Sequence, residues 1–147
     1  MKRIKRFFCT FIIVLSIVML CGCSKDYSSI TYNKFVEKMH SELEYSITDN
    51  TLVYQNIYQR EIEANKDGVL FQYIEFETEE DAKGFVKKNY YNKKHYSYKS
   101  TDDYTVVTNS KSGYKKIVQV DNMVIIGTTN SKSYKSDIKK AFKKLGY

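Results

Sequence analysis

The chain has no proline and no tryptophan, only two histidines, and no cysteine after residue 23. With all three cysteines at the start, the rest of the molecule has no thiol for a disulfide, a metal site or a nucleophile. Packing alone must hold its fold. His40 and His95 have no partner at metal-ligand spacing, and His95 sits among lysines that oppose a cation. No Gly-x-Ser-x-Gly elbow and no phosphate-cradling glycine loop occurs. The acidic run Glu75, Glu77, Glu79, Glu80, Asp81 falls across a strand end and a helix start, where capping and the helix dipole account for it. No catalytic residue, metal ligand or cofactor is therefore assigned from the sequence. Abundant Lys, Asn, Ile and Tyr beside the missing Pro and Trp suggest an AT-rich genome, so codon usage explains part of the Lys/Tyr richness.

The first residues have a pattern of their own. Lys2, Arg3, Lys5 and Arg6 precede residues 7–20, which carry no charge. This is the basic and then apolar layout of an export signal. Fourteen residues make only about 21 Å of helix, short of a hydrocarbon core of about 30 Å, so the segment is read as cleaved rather than as a membrane span. It closes on Leu20-Cys21-Gly22-Cys23. That run resembles the lipobox of bacterial lipoproteins, with Cys21 standing where alanine, serine or threonine is commoner. The resemblance implies cleavage between Gly22 and Cys23, a diacylglyceryl (palmitate-bearing) thioether on Cys23, and a protein held on the extracytoplasmic face of the cell membrane. In a low-GC Gram-positive cell envelope this is the outer leaflet of the single bilayer.

Cleavage would change the composition that bears on function. It removes four basic residues and leaves 20 Lys+Arg against 17 Asp+Glu. Residues 23–86 carry six basic and thirteen acidic side chains, and residues 87–147 fourteen lysines and four aspartates, so the domain is expected to be strongly dipolar. Residues 24–29 form a short polar tether that reaches about 20 Å at 3.3–3.6 Å per residue. The organisation is then signal 1–22, lipidated N-terminus and tether 23–29, and one domain over 30–147.

Within that domain, Thr31 caps a helix whose stripe is Phe35, Val36 and Met39, with Ile30 and Phe35 spaced as a hydrophobic staple. Residues 45–48 and 57–64 read as strands, the latter with Tyr58, Arg60, Ile62 and Ala64 on one side. Asp67-Gly68 is a hairpin turn, followed by a nearly continuous apolar strand over 69–77 that is read as central. Thr78 caps a second helix with Ala82, Phe85, Val86 and Tyr90 inward. Residues 91–99 read as a loop. Residues 104–109, 114–120 and 123–129 make a meander, and a last helix buries Ile138, Ala141, Phe142 and Leu145 before Gly146 ends it. The order α-βββ-α-βββ-α predicts an α+β fold of two layers, helices packed on a largely antiparallel sheet. Lys34-Phe35-Val36-Glu37-Lys38 faintly echoes Gly84-Phe85-Val86-Lys87-Lys88, as an internal duplication would.

One stretch has the chemistry to recognise something: Lys87, Lys88, Tyr90, Tyr91, Lys93, Lys94, Tyr96, Tyr98 and Lys99. Lysines meet phosphates and tyrosines stack on rings. Outside the membrane the available polyanions are lipid head groups and anionic envelope polymers; nucleic acid is not expected there. The chain beyond residue 23 resembles the small lipoproteins of Clostridium-type Gram-positive bacteria, through residues 74–81, the hairpin around Asp121-Asn122-Met123, and the ending Lys144-Leu145-Gly146-Tyr147. That resemblance implies an anchored envelope protein and no activity. The sequence thus points to a non-enzymatic, membrane-tethered binding or accessory protein with no identified protein partner. The alternatives are an enzyme with a Tyr/carboxylate site and an immunity-type lipoprotein that binds a cationic peptide on its acidic half.

Overall fold

The computed structural model describes residues 27–54 and 56–147. Leu20, Cys21, Gly22, Cys23 and the first part of the tether lie outside the described residues. The elements run α1 (Tyr32–Glu37), a π-helical turn (Lys38–Glu42), β1 (Ser46–Asp49), α2 (Thr51–Tyr54), β2 (Arg60–Lys66), β3 (Val69–Glu75), α3 (Glu79–Tyr90), β4 (Tyr96–Ser100), β5 (Tyr104–Asn109), β6 (Tyr114–Val120), β7 (Met123–Thr129), a 3-10 turn (Lys132–Tyr134) and α4 (Lys135–Leu145). The seven strands form one antiparallel sheet in the order β1-β2-β3-β7-β6-β5-β4. The fold is α+β, with β3 and β7 at its centre.

Local chemistry accounts for most of the boundaries. Thr31 Oγ1 accepts from the Lys34 amide and Thr78 Oγ1 from the Asp81 amide, each taking up an amide that the helix leaves unpaired. Asp67 and Gly68 both adopt positive φ, as a two-residue turn between right-twisted strands requires. Gly146 closes α4 at φ 107°, and its amide and that of Tyr147 return to the last turn.

Strand alternation splits the apolar residues into two cores. On one face Ile62, Phe71, Tyr73, Val118 and Ile125 pack under α1, the π turn and α4; on the other Ile74, Ile117, Val124 and Ile126 pack under α3. Helices therefore cover both faces, and the domain has three layers rather than two. The central strands alternate apolar residues on both sides, so a single helical layer would leave one side wet. The second strand group gains a member, β4, where residues 91–99 read as a loop. β2 starts at Arg60, and Tyr58 packs on Phe76 and Phe85 at the α3 face instead of joining Ile62 and Ala64. The echoed strings also separate: Phe35 is buried on one face of the sheet, while Phe85 packs against the cluster on the other. A rotation that exchanges antiparallel β3 and β7 keeps the faces, so the duplication does not describe the fold.

Candidate functional site

The strand register defines two ends of the sheet, about 20 Å apart at 3.3–3.4 Å per residue over seven-residue strands. At one end lie the β1–β2 connection, the β3–α3 passage, and the β4–β5 and β6–β7 turns. Phe76 and Asn122 exchange hydrogen bonds there, and Lys83 Nζ donates to the Asp102 carbonyl. At the other end lie the β2–β3 hairpin, the β5–β6 loop, the α3–β4 loop and the entry to α4.

The turns at the two ends differ in charge. The first end carries Glu77, Glu79, Glu80, Asp102, Asp103 and Asp121. The second carries Lys93, Lys94, Lys111, Lys132 and Lys135, with Glu44, Asp67 and Asp137 among them.

The N-terminal segment is fixed at the acidic end. Tyr27 stands edge-on to Tyr104 at 4.7 Å and to Tyr147 at 5.4 Å, and the Tyr147 hydroxyl donates to the Ser28 carbonyl at 2.7 Å. Burial pushes the Tyr147 phenol well above its ordinary range, so it stays a donor at any physiological pH. Two of the six residues read as tether are thus held by the domain. The same end exposes Leu52, Val53 and Ile57, at 82%, 73% and 65%.

The Lys/Tyr stretch folds into an aromatic platform at the opposite end. Tyr90, in the last turn of α3, lies 5.5 Å from Tyr96, and Tyr91 lies 5.0 Å from Tyr98. Burial first, then Tyr96 and Tyr58, hold the Tyr90 phenol at about 12. Lys87 and Lys88 are exposed at the end of α3, and Lys93 and Lys94 on the loop after it. Lys99 does not join them: strand alternation turns it to the face opposite Tyr96 and Tyr98. A lysine absent from the sequence-based set does join. Lys115 lies on the same face as Tyr96 and Tyr98, with Nζ 5.8 Å from the Tyr90 ring centroid. Burial alone lowers its ammonium from the ordinary value, and among the described residues no carboxylate pairs with it. Its alternation with Ile117 in β6 was the available signal, but a lysine in a strand reads most simply as its wet side.

Two further groups escape linear motifs. The first is a groove between the π turn and the start of α4, lined by Tyr45, Asp67, Asp137 and Tyr134 among others. The second is Glu61, 4% exposed on the α3 face of β2. The Gln72 amide donates at 3.3 Å to Glu61 Oε1 and at 3.3 Å to Glu63 Oε1, while Glu61 Oε2 has no partner among the described residues. Burial pushes the Glu61 carboxyl up and the Glu63 charge adds to this; the Gln72 hydrogen bond opposes both. A raised folded-state value means that the folded domain holds the proton more tightly than the unfolded chain. Stability therefore falls as pH rises through the ordinary carboxylate value and beyond. Glu61→Gln should melt higher than the wild type at pH 7, with the gain vanishing as pH falls below that ordinary value. Thermal melts at the two pH values check this, and an equal or lower melting temperature for the variant at pH 7 contradicts it.

No protein-family model matches the chain, and no curated protein is significantly similar to it. Among the described residues, no helix is long and apolar enough to cross a membrane, and no three His, Cys, Asp or Glu side chains group as a metal site would require.

Proposed function

We propose that the chain is a lipoprotein anchored through Cys23 on the extracytoplasmic face of the cell membrane, and that it acts there as a non-enzymatic binding protein for anionic polymer of the envelope. The observation that carries this reading is the separation of the two ends. Tyr27, docked at the acidic end, is four residues past Cys23, a reach of about 14 Å at most. The lysine-rich end lies another 20 Å or so along the strands. At physiological salt the Debye length is about 8 Å, so the head-group field is mostly screened at that end and its lysines are available to a polyanion beyond the membrane. Exposed Leu52, Val53 and Ile57 on the anchored end suit a neighbouring bilayer surface. The Lys115 ammonium, desolvated and without a carboxylate, gains from an anion that meets it, and the paired tyrosines offer ring faces to a polyol or sugar chain.

Co-sedimentation with isolated cell walls bearing polyol-phosphate polymer tests this reading. Binding should weaken steeply with salt. It should fall at least tenfold in Lys93→Glu/Lys94→Glu/Lys115→Met with the fold intact by circular dichroism, because phosphate contacts dominate such affinities. Unchanged binding in the triple variant, or in walls stripped of phosphate polymer, removes the polyanion. Release of a product from substrate by the purified protein, abolished by one point mutation, removes the non-enzymatic reading.

A further inference from the structure

The groove between the π turn and α4 has a lining that the polyanion reading does not use. It encloses about 330 Å³, at the small end of ligand sites. Its rim is shaped by the unusual turn that ends the π segment. The Tyr45 amide reaches back to the Met39 carbonyl at 2.8 Å, and Glu44 adopts φ 61°. Leu43, Val69 and Ala141 supply apolar wall. The ring of Tyr45 is 5% exposed and stands edge-on to Phe71 at 5.6 Å. Its hydroxyl has no hydrogen-bond partner among the described residues and opens on the groove instead of being sealed in the core. Asp137, in the first turn of α4, and Asp67, in the β2–β3 hairpin, line the same groove, and neither has an ion-pair partner among the described residues. The other acids there are occupied: Glu44 pairs with Lys66 and Glu42 with Lys144. Lys66 also donates to the Leu43 carbonyl at 2.9 Å, which leaves Lys140 as the remaining cation on the rim.

Turn chemistry places Asp67 and the helix dipole favours Asp137; together they put two carboxylates on the groove that the Tyr45 hydroxyl also lines. Their charges reach it: burial, then Asp137, then Asp67, push the Tyr45 phenol to about 12. A small opening with aliphatic walls, two unpaired carboxylates and a free hydroxyl suits three tetrahedral N–H donors better than a planar fork, which would spend itself on a single carboxylate.

We propose that this groove binds a primary ammonium group carried on a short aliphatic chain, through Asp67, Asp137 and the Tyr45 hydroxyl. The site deepens the reading of the chain as a binding protein; it lies at the lysine-rich end but uses none of Lys93, Lys94 and Lys115 and does not need the anchor. The full chain in neutral detergent is titrated calorimetrically at low salt with blocked lysine amide, pentylamine and blocked norleucine amide. Either amine should bind, and norleucine amide should not. Binding of pentylamine alone identifies a free small amine as ligand, and binding of both identifies a lysyl side chain as an acceptable one. Asp67→Asn/Asp137→Asn should weaken binding at least tenfold, the scale of a lost charge-assisted hydrogen bond. Tyr45→Phe should weaken it about fivefold with little change in melting temperature; should that variant unfold, the surface double variant decides alone. Equal binding of norleucine amide, no binding of either amine, or full affinity in the double variant overturns the site. Wall binding unchanged throughout separates this outcome from failure of the polyanion reading.

Discussion

Gly113→Ala lowers the melting temperature by about 12 °C. Gly113 is buried in the β5–β6 loop, where a Cβ would come 2.2 Å from the Thr129 carbonyl oxygen and 2.9 Å from Asn130 Cα. Both are backbone atoms at the end of β7, so no rotamer change relieves the contact. The strand end must move, and Tyr114 pairs with Thr129 at that point. Overpacking costs about 1–3 kcal/mol where side chains can give way, and backbone clashes fall at the upper end. For a domain of this size about 3 kcal/mol corresponds to roughly 12 °C. Gly127 is an instructive contrast. Its Cβ would meet the rings of Phe142 at 2.7 Å and Phe71 at 2.8 Å, which can shift a little, so Gly127→Ala should cost less. Thermal melts of the two variants decide: a Gly113→Ala midpoint within 2 °C of wild type would show that the loop yields freely.

On the proposed anchoring through Cys23, Cys23→Ala should move the protein from the membrane fraction to the medium, an effect close to all-or-none. A single acyl chain holds a protein only marginally, whereas the two chains of a diacylglyceryl group anchor it stably, each buried CH₂ contributing about 0.8 kcal/mol. Among the described residues nothing compares in size. Leu52, Val53 and Ile57 are three exposed side chains and cannot retain a domain alone. Fractionation of cells expressing the two forms measures it. Equal membrane retention of Cys23→Ala would mean that something other than lipid at residue 23 holds the chain.

The sequence was most legible where local chemistry and burial agree. The meander boundaries 104–109, 114–120 and 123–129 coincide with β5, β6 and β7, because each strand alternates and each break carries Gly113 or Asp121-Asn122. Thr31, Thr78, Asp67-Gly68 and Gly146 all act as their types suggest. Elsewhere tertiary context won. Tyr96–Ser100 reads as loop because its residues are polar and lysine-rich, yet an edge strand needs only a partner, and β5 provides one. The π turn has no local signal of its own. The second helical layer was implicit in the two-sided apolar pattern of β7, which contradicted a one-faced sheet from the start.

The candidate sites were legible in proportion to how local they are. Tyr90, Tyr91, Tyr96 and Tyr98 are close in the chain and close in space. Lys99 fell out because strand alternation, invisible in an assumed loop, turns it away. Lys115 and the Tyr45 groove were missed because residues 45, 67 and 137 converge only once β1, β3 and α4 are in place. The two halves of the sequence do not separate as two faces: Asp102, Asp103 and Asp121 of the lysine-rich half join Glu77, Glu79 and Glu80 at one end, while Asp67 of the acidic half lies at the other.

The separation of the two ends gives the account its meaning only if the acidic end is the anchored one. The most direct measurement is metabolic labelling with palmitate, with intact mass of the purified chain, for wild type and Cys23→Ala. Label is expected in the wild type, with a mass lacking residues 1–22 and carrying acyl chains on Cys23, and no label in the variant. Label at wild-type level in Cys23→Ala, or a wild-type mass that retains residues 1–22 without lipid, would contradict it.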